Sequence, residues 1–310
     1  MLLPRRPGPR SLAALLLLTL ATLAGCSDDS PPTTVSKPTP SASAPGQDSP
    51  YPTYVALGDS YTAAPGVPQT EQESGCLRSN GNYANLVASR LKSQFVDVSC
   101  SGATTLSLVG AQQVSNQVVP PQYAALSPDT SLVTIGMGGN DLDLFQTMVG
   151  VCAQLALNDR DGSPCRDYMA DAGRKGDLLL EKIDKIQDRV TSALEGVRNR
   201  APQAEVVLVG YPQPVPAEGR CQILPLAVKD YPYVRGIVVK LDQALRAAAK
   251  EAQVEYVDLV EVSAGHDICA GEDAWVNGVN TDLMRALALH PFAEEQQAVA
   301  DLVLQKLKKL

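Results

Sequence analysis

Three short polar stretches of this chain carry residue types that can perform acyl transfer. Such a reaction needs a nucleophile, a base within hydrogen-bond reach, and donors aimed at the oxygen that becomes negative in the tetrahedral intermediate. The candidate nucleophile is the Ser60 hydroxyl, and the backbone N–H groups of Ser60 and Gly102 with the Asn140 side-chain amide can form an oxyanion hole. The three stretches are GDS at Gly58–Ser60, CSGAT at Cys100–Thr104 and GGND at Gly138–Asp141.

The choice of a histidine as general base is limited to two residues, because the chain contains only two histidines. His290 lies in LALHPFAEEQ, directly before a proline that suits a helix start, so a loop would present its imidazole at the site. His266 lies in AGHDICAGEDAW beside Cys269, where a structural role near a disulfide is more natural. We therefore expect His290 to be the general base.

The elements around these stretches predict an α/β fold in which a central, mainly parallel sheet is covered by helices on both faces, giving three layers. Strand-like runs alternate with helical stretches, and the polar stretches follow the first three strands, while GYP at Gly210–Pro212 follows the fourth. In such sheets ligands bind beyond the carboxyl ends of the strands, so all four turns should meet at one edge. The predicted strands are Thr53–Leu57, Phe95–Ser99, Ser131–Ile135, Glu205–Val209 and Glu255–Leu259, and the predicted helices are Tyr83–Lys92, Leu178–Arg198, Tyr233–Ala252 and Ala293–Leu307.

Structural roles compete with the catalytic ones at several of these positions. Taken singly, each glycine-bearing turn would be an ordinary strand-to-helix loop, and Ser60 an ordinary turn serine. The carboxylates of Asp59 and Asp141 are expected to bond local backbone N–H groups and shape the loops rather than to act in catalysis. Tyr61 and Trp275 are more easily explained as core aromatics than as ligand contacts.

The N-terminus predicts export and a lipid anchor. Three arginines precede the apolar run SLAALLLLTLATLAGC, which is short for a membrane span and ends in small residues. We expect residues 1–25 to be a lipoprotein signal peptide and Cys26 to be the acylated first residue, with an ordinary signal peptide as the alternative. Residues 26–50 are rich in Ser and Pro and form a tether, and residues 51–310 form one domain.

Charge and cysteine content narrow the function further. The chain carries a net charge of −8, which becomes −11 without the three leader arginines, and it has no basic stripe, so nucleic acid is not an expected partner. Six further cysteines follow Cys26, an even number that suggests disulfides in an exported protein, with 15 possible connectivities. The cysteines and histidines do not cluster as zinc ligands do, so no metal is expected.

The combination of motifs resembles the SGNH family of hydrolases, also called GDSL, and in particular its secreted bacterial esterase and lipase branch. Ser60 in GDSY, Gly102 in CSGAT, Asn140 in GGND and His290 in LALHP stand in the order that this family shows. The resemblance implies an SGNH hydrolase fold, similar to that of flavodoxin, a covalent acyl-enzyme on Ser60 and no cofactor. It also implies disulfides that pair in sequence order, as Cys76–Cys100, Cys152–Cys165 and Cys221–Cys269.

One position departs from the family pattern. The family usually places an aspartate three residues before the catalytic histidine, and here that residue is Leu287. Some secreted members work as a Ser–His dyad held by a main-chain carbonyl, and we expect the Leu287 carbonyl to orient His290 in that way. Two alternatives remain: Asp282 folds back to His290, or the protein is an inactive member of the family.

These observations predict a monomeric serine esterase or lipase that hydrolyses carboxylic esters, either acyl lipids or small acyl esters. Acyl transfer to another alcohol and carbohydrate deacetylation are alternatives on the same machinery, and a non-catalytic binding lipoprotein is an alternative from another class. The membrane would be a partner only through the anchor at Cys26. The segments expected to shape the substrate pocket, 142–177 and 212–230, have no readable code, so the acyl length stays open.

Overall fold

The computed structural model describes residues 49–170 and 176–308 of the 310-residue chain. The expected signal peptide, Cys26 and nearly all of the expected tether lie outside the described residues. Their roles therefore stay predictions.

A sheet of five parallel strands forms the centre of the described part. The strands lie in the order β2-β1-β5-β6-β7, so the chain begins near the middle of the sheet, adds one strand on one side and then three on the other. Because the strands are parallel, the carboxyl ends of β1, β2, β5 and β6 lie at one edge of the sheet, as predicted. The bounds are β1 Thr53–Gly58, β2 Gln94–Asp97, β5 Leu132–Gly136, β6 Glu205–Val209 and β7 Glu255–Val257.

Alternating side chains of the strands supply two separate cores. Val55 and Leu57 of β1 belong to one buried cluster, whereas Tyr54 and Ala56 belong to another on the opposite face. This follows from the strand geometry, in which successive side chains point to opposite faces. Both faces are apolar because both are covered by helices.

Two pairs of helices cover the sheet and complete a three-layer α/β/α fold, which confirms the predicted fold class. α7 and α8 pack in the larger cluster, and α2 and α9 pack in the smaller one. α7 buries the apolar stripe that its sequence predicted, including Ile183, Ile186 and Val190. The bounds are α2 Tyr83–Leu91, α7 Leu178–Arg200, α8 Tyr231–Glu251 and α9 Ala293–Leu307.

Several short elements were not predicted. An antiparallel hairpin joins β3, Gln112–Val114, to β4, Gln117–Val119, through a two-residue turn in which Ser115 has a φ of 51°. The segment after β5 forms helical turns instead of one regular helix. The short helices are α1 Ser60–Ala63, α3 Leu106–Val109, α4 Leu144–Gln146, α5 Cys152–Ala156 and α6 Pro164–Ala170, with a π-helical turn at Thr147–Val151 and 3₁₀ turns at Gln122–Ala125, Asp141–Asp143, Val228–Asp230 and Gly271–Asp273.

Three disulfides pair the six cysteines in sequence order, which confirms the pairing implied by the family resemblance. They are Cys76–Cys100, Cys152–Cys165 and Cys221–Cys269. Within the described ranges no helix combines the length and the apolar character that crossing a bilayer requires.

Candidate active site

An apolar cavity of about 380 Å³ lies at the carboxyl edge of the sheet, and three of the predicted site residues line it. Ser60 follows β1, Asn140 follows β5, and His290 precedes α9. The fourth predicted residue, Gly102, is not among the residues that line this cavity. Most of the wall is apolar, with Tyr61, Phe145, Met148, Val149, Pro212, Pro214, Val215, Leu224, Leu226, Val234, Val238, Ile268, Val276 and Leu289.

Ser60 is held at the start of a one-turn helix directly after β1. The carboxylate of Asp59 accepts a hydrogen bond from the Tyr61 N–H at 2.8 Å and so caps this helix. The Asp59 N–H donates to the Gly136 carbonyl at 3.0 Å, and a Cβ on Gly58 would lie only 2.9 Å from that same oxygen. Glycine is therefore required before Asp59, because a Cβ there would also lie 2.6 Å from the Thr62 Cβ.

The side chain of Gln122 also supports the turn at Ser60, which we call the nucleophile turn after the predicted role of that serine; sequence reasoning did not predict this support. Its amide accepts from the Gly58 N–H at 2.8 Å and donates to the Gly58 carbonyl at 2.9 Å. Both backbone groups of the residue where β1 ends are thus satisfied inside the protein.

Asn140 is placed by a sharp turn that follows β5. Gly138 has a φ of +124°, a backbone conformation that residues with a side chain rarely adopt. The Asn140 amide donates one hydrogen bond to the Ala103 carbonyl at 3.1 Å. Its second N–H is not needed for that contact, and Asn140 faces the cavity.

Gly102 lies in the turn that Asn140 contacts. Its φ of +76° is the left-handed conformation that glycine adopts without a penalty. The Cys76–Cys100 disulfide fixes the chain two residues earlier, and the Ala103 N–H bonds the Cys100 carbonyl at 3.0 Å. The contact between Asn140 and Ala103 therefore brings the second and third predicted stretches together, although the predicted donor, Gly102, stays outside the cavity lining.

Asp141 joins the same two turns from behind, although its backbone partner is the distant Thr105 and not a local N–H group as expected. It is fully buried and accepts from the N–H and the hydroxyl of Thr105, and the Arg189 guanidinium of α7 approaches it at 3.2 Å. Three bonds to one buried carboxylate tie the loops after β2 and β5 to the long helix.

His290 is oriented by a main-chain carbonyl, but not by the predicted one. Its Nδ1 lies 2.7 Å from the carbonyl oxygen of Ala288. Because a carbonyl only accepts, Nδ1 carries the hydrogen and Nε2 is left free to take a proton. Burial lowers the pKa of His290, and the hydrogen bond to Ala288 opposes this effect.

The predicted acceptors have other partners, so the assignment of Leu287 was wrong. The Leu287 carbonyl accepts from the Asn277 amide and from the His290 backbone N–H, both at 3.2 Å. The Asp282 carboxylate, the predicted alternative, accepts from the Met284 N–H at 2.9 Å.

A strained residue explains why the acceptor is Ala288. Leu289 has a φ of +63°, which is costly for a residue with a branched side chain. It is held there by two hydrogen bonds: its N–H donates to the Gly278 carbonyl at 3.0 Å, and its carbonyl accepts from the Tyr61 hydroxyl at 2.9 Å. The reversal of the chain at Leu289 brings the Ala288 carbonyl back to the imidazole two residues later.

Tyr211 of the GYP stretch connects the nucleophile turn with the Asn140 turn. Its hydroxyl donates to the Asp59 carboxylate at 2.5 Å and accepts from the Gly139 N–H at 2.9 Å. All three groups are enclosed, and burial raises the pKa of Asp59 to about 7, although the bonds from Tyr211 and from the Tyr61 N–H oppose this shift. Sequence reasoning placed GYP after the fourth strand but assigned no role to Tyr211.

Comparisons with known proteins assign the chain to a family of ester hydrolases. The model of the GDSL-like lipase/acylhydrolase family matches residues 56–298 of the chain. The chain therefore belongs to this family, as the motifs indicated.

Individual relatives agree with this assignment. Lipase 2 of Streptomyces coelicolor is 40% identical over 232 residues, which are 73% of this chain and 76% of that protein. Two solved structures also resemble this chain. The first covers 83% of this chain and the second 82%, and in each case the match includes 98% of the solved chain. They are phospholipase A1 of Streptomyces albidoflavus, with a TM-score of 0.63 at 26% identity, and the extracellular lipase of Streptomyces rimosus, with a TM-score of 0.62 at 25% identity.

Proposed function

We propose that this lipase or esterase hydrolyses esters through an acyl-enzyme on Ser60, with His290 as the general base. The observation that carries the proposal is that Ser60, Asn140 and His290 line one cavity while the Ala288 carbonyl holds the His290 ring by Nδ1. That arrangement leaves Nε2 for the proton of the Ser60 hydroxyl. It is a dyad in which a main-chain carbonyl takes the place of a carboxylate.

The reaction then follows in two halves. Ser60 Oγ attacks the ester carbonyl carbon while His290 Nε2 takes the hydroxyl proton, and His290 passes that proton to the alcohol oxygen as the carbon–oxygen bond breaks. Water, deprotonated by His290, then attacks the acyl carbon, and His290 passes that proton to Ser60 Oγ as the bond between Oγ and the acyl carbon breaks and the acid leaves. The proposed oxyanion donors are the Ser60 N–H, the Asn140 amide and the Gly102 N–H, and the first two belong to residues that line the cavity.

The cavity wall favours an ester with an apolar acyl group. Apart from the proposed catalytic groups its lining is nearly all aliphatic and aromatic, which offers few partners for a hydroxyl-rich sugar. The names of the relatives, lipase and phospholipase A1, are in keeping with this choice. Hydrolysis of acyl lipids is therefore the preferred function over deacetylation of carbohydrates.

The N-terminal predictions complete the proposal. Residues 1–25 would direct export, Cys26 would carry the lipid anchor, residues 26–50 would tether the enzyme, and residues 51–310 would act as a monomer outside the cytoplasm. The relative from Streptomyces rimosus is an extracellular lipase, which supports export but not the anchor.

The test is hydrolysis of p-nitrophenyl esters from acetate to palmitate, with the wild type beside Ser60→Ala. We expect the substitution to lower kcat by roughly 10³-fold or more and to abolish labelling by a fluorophosphonate, without unfolding the protein. Equal activity of the two proteins would refute the serine mechanism. A folded wild type that is neither active nor labelled would favour the binding-protein alternative.

A further inference from the structure

The turn before the His290 loop carries two apolar side chains that nothing in the described structure covers. Leu283 is 82% exposed and Met284 is 83% exposed, whereas Val118, the next most exposed large apolar residue among those described, is 66% exposed. Single exposed apolar residues are common on protein surfaces, but two neighbours at the tip of one turn require an explanation.

The turn is held rigidly, so this exposure is a property of the fold. Asp282 and Ala286 pair as an antiparallel bridge, with the Ala286 N–H bonded to the Asp282 carbonyl at 2.9 Å and the Asp282 N–H bonded to the Ala286 carbonyl at 3.0 Å. The Asp282 carboxylate caps the Met284 N–H, and the Asn277 amide binds the carbonyls of Ala286 and Leu287. Hydrogen bonds at its base thus fix the direction of the tip.

The base of the turn packs beside the nucleophile segment. The Leu287 N–H donates to the Pro65 carbonyl at 3.1 Å, two residues after the helix that Ser60 begins. Leu283 and Leu287 also line a shallow groove of about 190 Å³ together with Pro65, Pro68 and Leu77. The exposed tip therefore continues an apolar surface that lies next to the proposed catalytic residues.

The one cationic side chain of this turn, Arg285, is directed back to the protein. The Arg285 guanidinium lies over the Phe292 ring at 4.1 Å and approaches Glu294 at 3.7 Å. The whole chain has a net charge of −8, which would repel an anionic surface. Both observations fit a binding partner whose surface carries no net charge and whose interior is apolar.

We propose that Leu283 and Met284 insert into the surface of an electrically neutral lipid aggregate, so that the enzyme takes its acyl substrate from a lipid–water interface. This deepens the proposed function, because the apolar cavity suits acyl chains whose esters aggregate in water. The expected anchor fits as well, since the 23 residues from Cys26 to Asp48 reach at most ~80 Å and would keep the domain near a bilayer.

The experiment measures binding to phosphatidylcholine vesicles by flotation. It uses residues 27–310, which contain every described residue and both core clusters but lack the acylated cysteine. We compare the wild type with Leu283→Ser/Met284→Ser, and with Val118→Ser/Leu157→Ser as a control that removes similar exposed apolar surface elsewhere. We expect the turn variant to bind about 100-fold more weakly, about tenfold for each side chain, and the control to bind within about twofold of the wild type.

Activity on a soluble ester separates this proposal from the proposed function. Hydrolysis of p-nitrophenyl butyrate below its solubility limit should be the same within about twofold for all three proteins, while hydrolysis of vesicle lipid should fall only in the turn variant. A wild type without activity on the soluble ester would refute the proposed function. Vesicle binding would still test whether Leu283 and Met284 insert into lipid.

Three results would overturn the inference. The wild type does not bind the vesicles, the turn variant binds as tightly as the wild type, or the control loses as much binding as the turn variant. Sedimentation tests whether the turn binds a second copy of the chain instead. A wild type that is dimeric and does not bind vesicles, together with a monomeric Leu283→Ser/Met284→Ser variant, would assign the turn to a dimer interface.

Discussion

At the scale of single residues, the site depends on buried groups whose protonation and hydrogen bonds are set by their neighbours. Burial lowers the pKa of His290, which keeps its imidazole neutral and able to accept a proton at neutral pH. Burial raises the pKa of Asp59 to about 7, so this carboxyl is near the middle of its titration there. Two groups within one site can therefore shape the pH dependence of the reaction, and a variant is needed to separate them.

The first prediction concerns the acid limb of the pH profile. Because a protonated imidazole cannot accept the Ser60 proton, kcat/KM on a soluble ester should fall as the pH is lowered, with a midpoint below 6.5. Asp59→Asn removes the other ionisation. Its amide oxygen can accept from the Tyr61 N–H, and its NH2 group then faces the Tyr211 hydroxyl, whose oxygen can accept in turn. We expect the midpoint to stay in place in that variant. A midpoint near 7 that disappears with Asp59→Asn would assign the limb to Asp59 instead.

The second prediction concerns Tyr211, a positioning residue that acts through the turns of Ser60 and Asn140. Tyr211→Phe removes the bonds to Asp59 and to the Gly139 N–H but keeps the ring, so we expect kcat to fall about 10- to 100-fold with KM changed by less than about twofold. Kinetics on a soluble ester provide the measurement.

The matched control for Tyr211 is Tyr256→Phe. Tyr256 makes a similar buried bond to a carboxylate, 2.6 Å from Asp242, but it does not line the cavity. Both variants should lose about 1–3 kcal/mol of unfolding free energy, since each leaves a buried acceptor short of a partner. An equal fall of kcat in both would mean that general destabilisation, not positioning, explains the effect.

At the scale of elements, the start of α9 connects the nucleophile turn to the opposite layer of the fold. Gln296 donates to the Tyr61 carbonyl at 3.0 Å and accepts from the Tyr83 N–H of α2 at 2.7 Å. Glu295 beside it is buried and accepts from the Gln296 amide at 2.6 Å. Burial raises the pKa of Glu295 to about 8, so this junction contains a carboxyl that is costly to ionise.

The third prediction follows from this cost. A carboxyl whose pKa is higher in the folded state than in the unfolded state stabilises the fold below its unfolded pKa, and this stabilisation is lost as the pH rises to the folded value. Glu295 should therefore destabilise the wild type progressively from about pH 4.5 to pH 8, by up to several kcal/mol. Glu295→Gln keeps an acceptor for Gln296 and should lack that loss.

Urea unfolding at pH 5 and pH 9 measures the effect as a difference between variants. We expect Glu295→Gln to gain stability over the wild type from pH 5 to pH 9, whereas Glu294→Gln at the exposed neighbouring position should change by less than about 0.5 kcal/mol. Parallel pH dependence of the wild type and Glu295→Gln would contradict the assignment.

At the scale of the whole molecule, the two layers of helices have different tasks. The cavity lies on the side of the larger core, because Val215, Val234, Val238 and Ile268 belong both to its wall and to that cluster. The smaller core, with α2 and α9, supports the nucleophile turn from the other face. Substitutions in α8 should thus alter the choice of substrate while the proposed catalytic groups stay in place.

The fourth prediction tests this division. Val238→Phe adds volume to the cavity wall and should shift the optimum of the p-nitrophenyl ester series to shorter chains, with at least a tenfold loss on dodecanoate and about threefold or less on butyrate. Val238→Ala should shift the optimum to longer chains, and it provides the test if the larger side chain impairs folding. An unchanged profile in both variants would place the acyl group elsewhere.

Much of the architecture could be predicted because it depends on local pattern. The strand Glu205–Val209 and the helix Ala293–Leu307 have the predicted bounds, since runs of β-branched residues and an apolar helical stripe are visible in the chain itself. The short helical turns between Asp141 and Ala156 could not be predicted in the same way, because no single period spans them.

The sequence by itself determined the class of the fold, the family and the set of polar residues that gather at one edge of the sheet. Which carbonyl holds His290 was decided only by the tertiary structure, because it depends on the left-handed backbone of Leu289, and that backbone depends on Tyr61 and Gly278. The Tyr211 bond to Asp59, across 152 residues, and the uncovered tip at Leu283 and Met284 were decided in the same way. The spacing of apolar residues within an element indicates which of its faces is buried. A hydrogen bond between distant residues, or an exposed tip, depends on where distant segments meet.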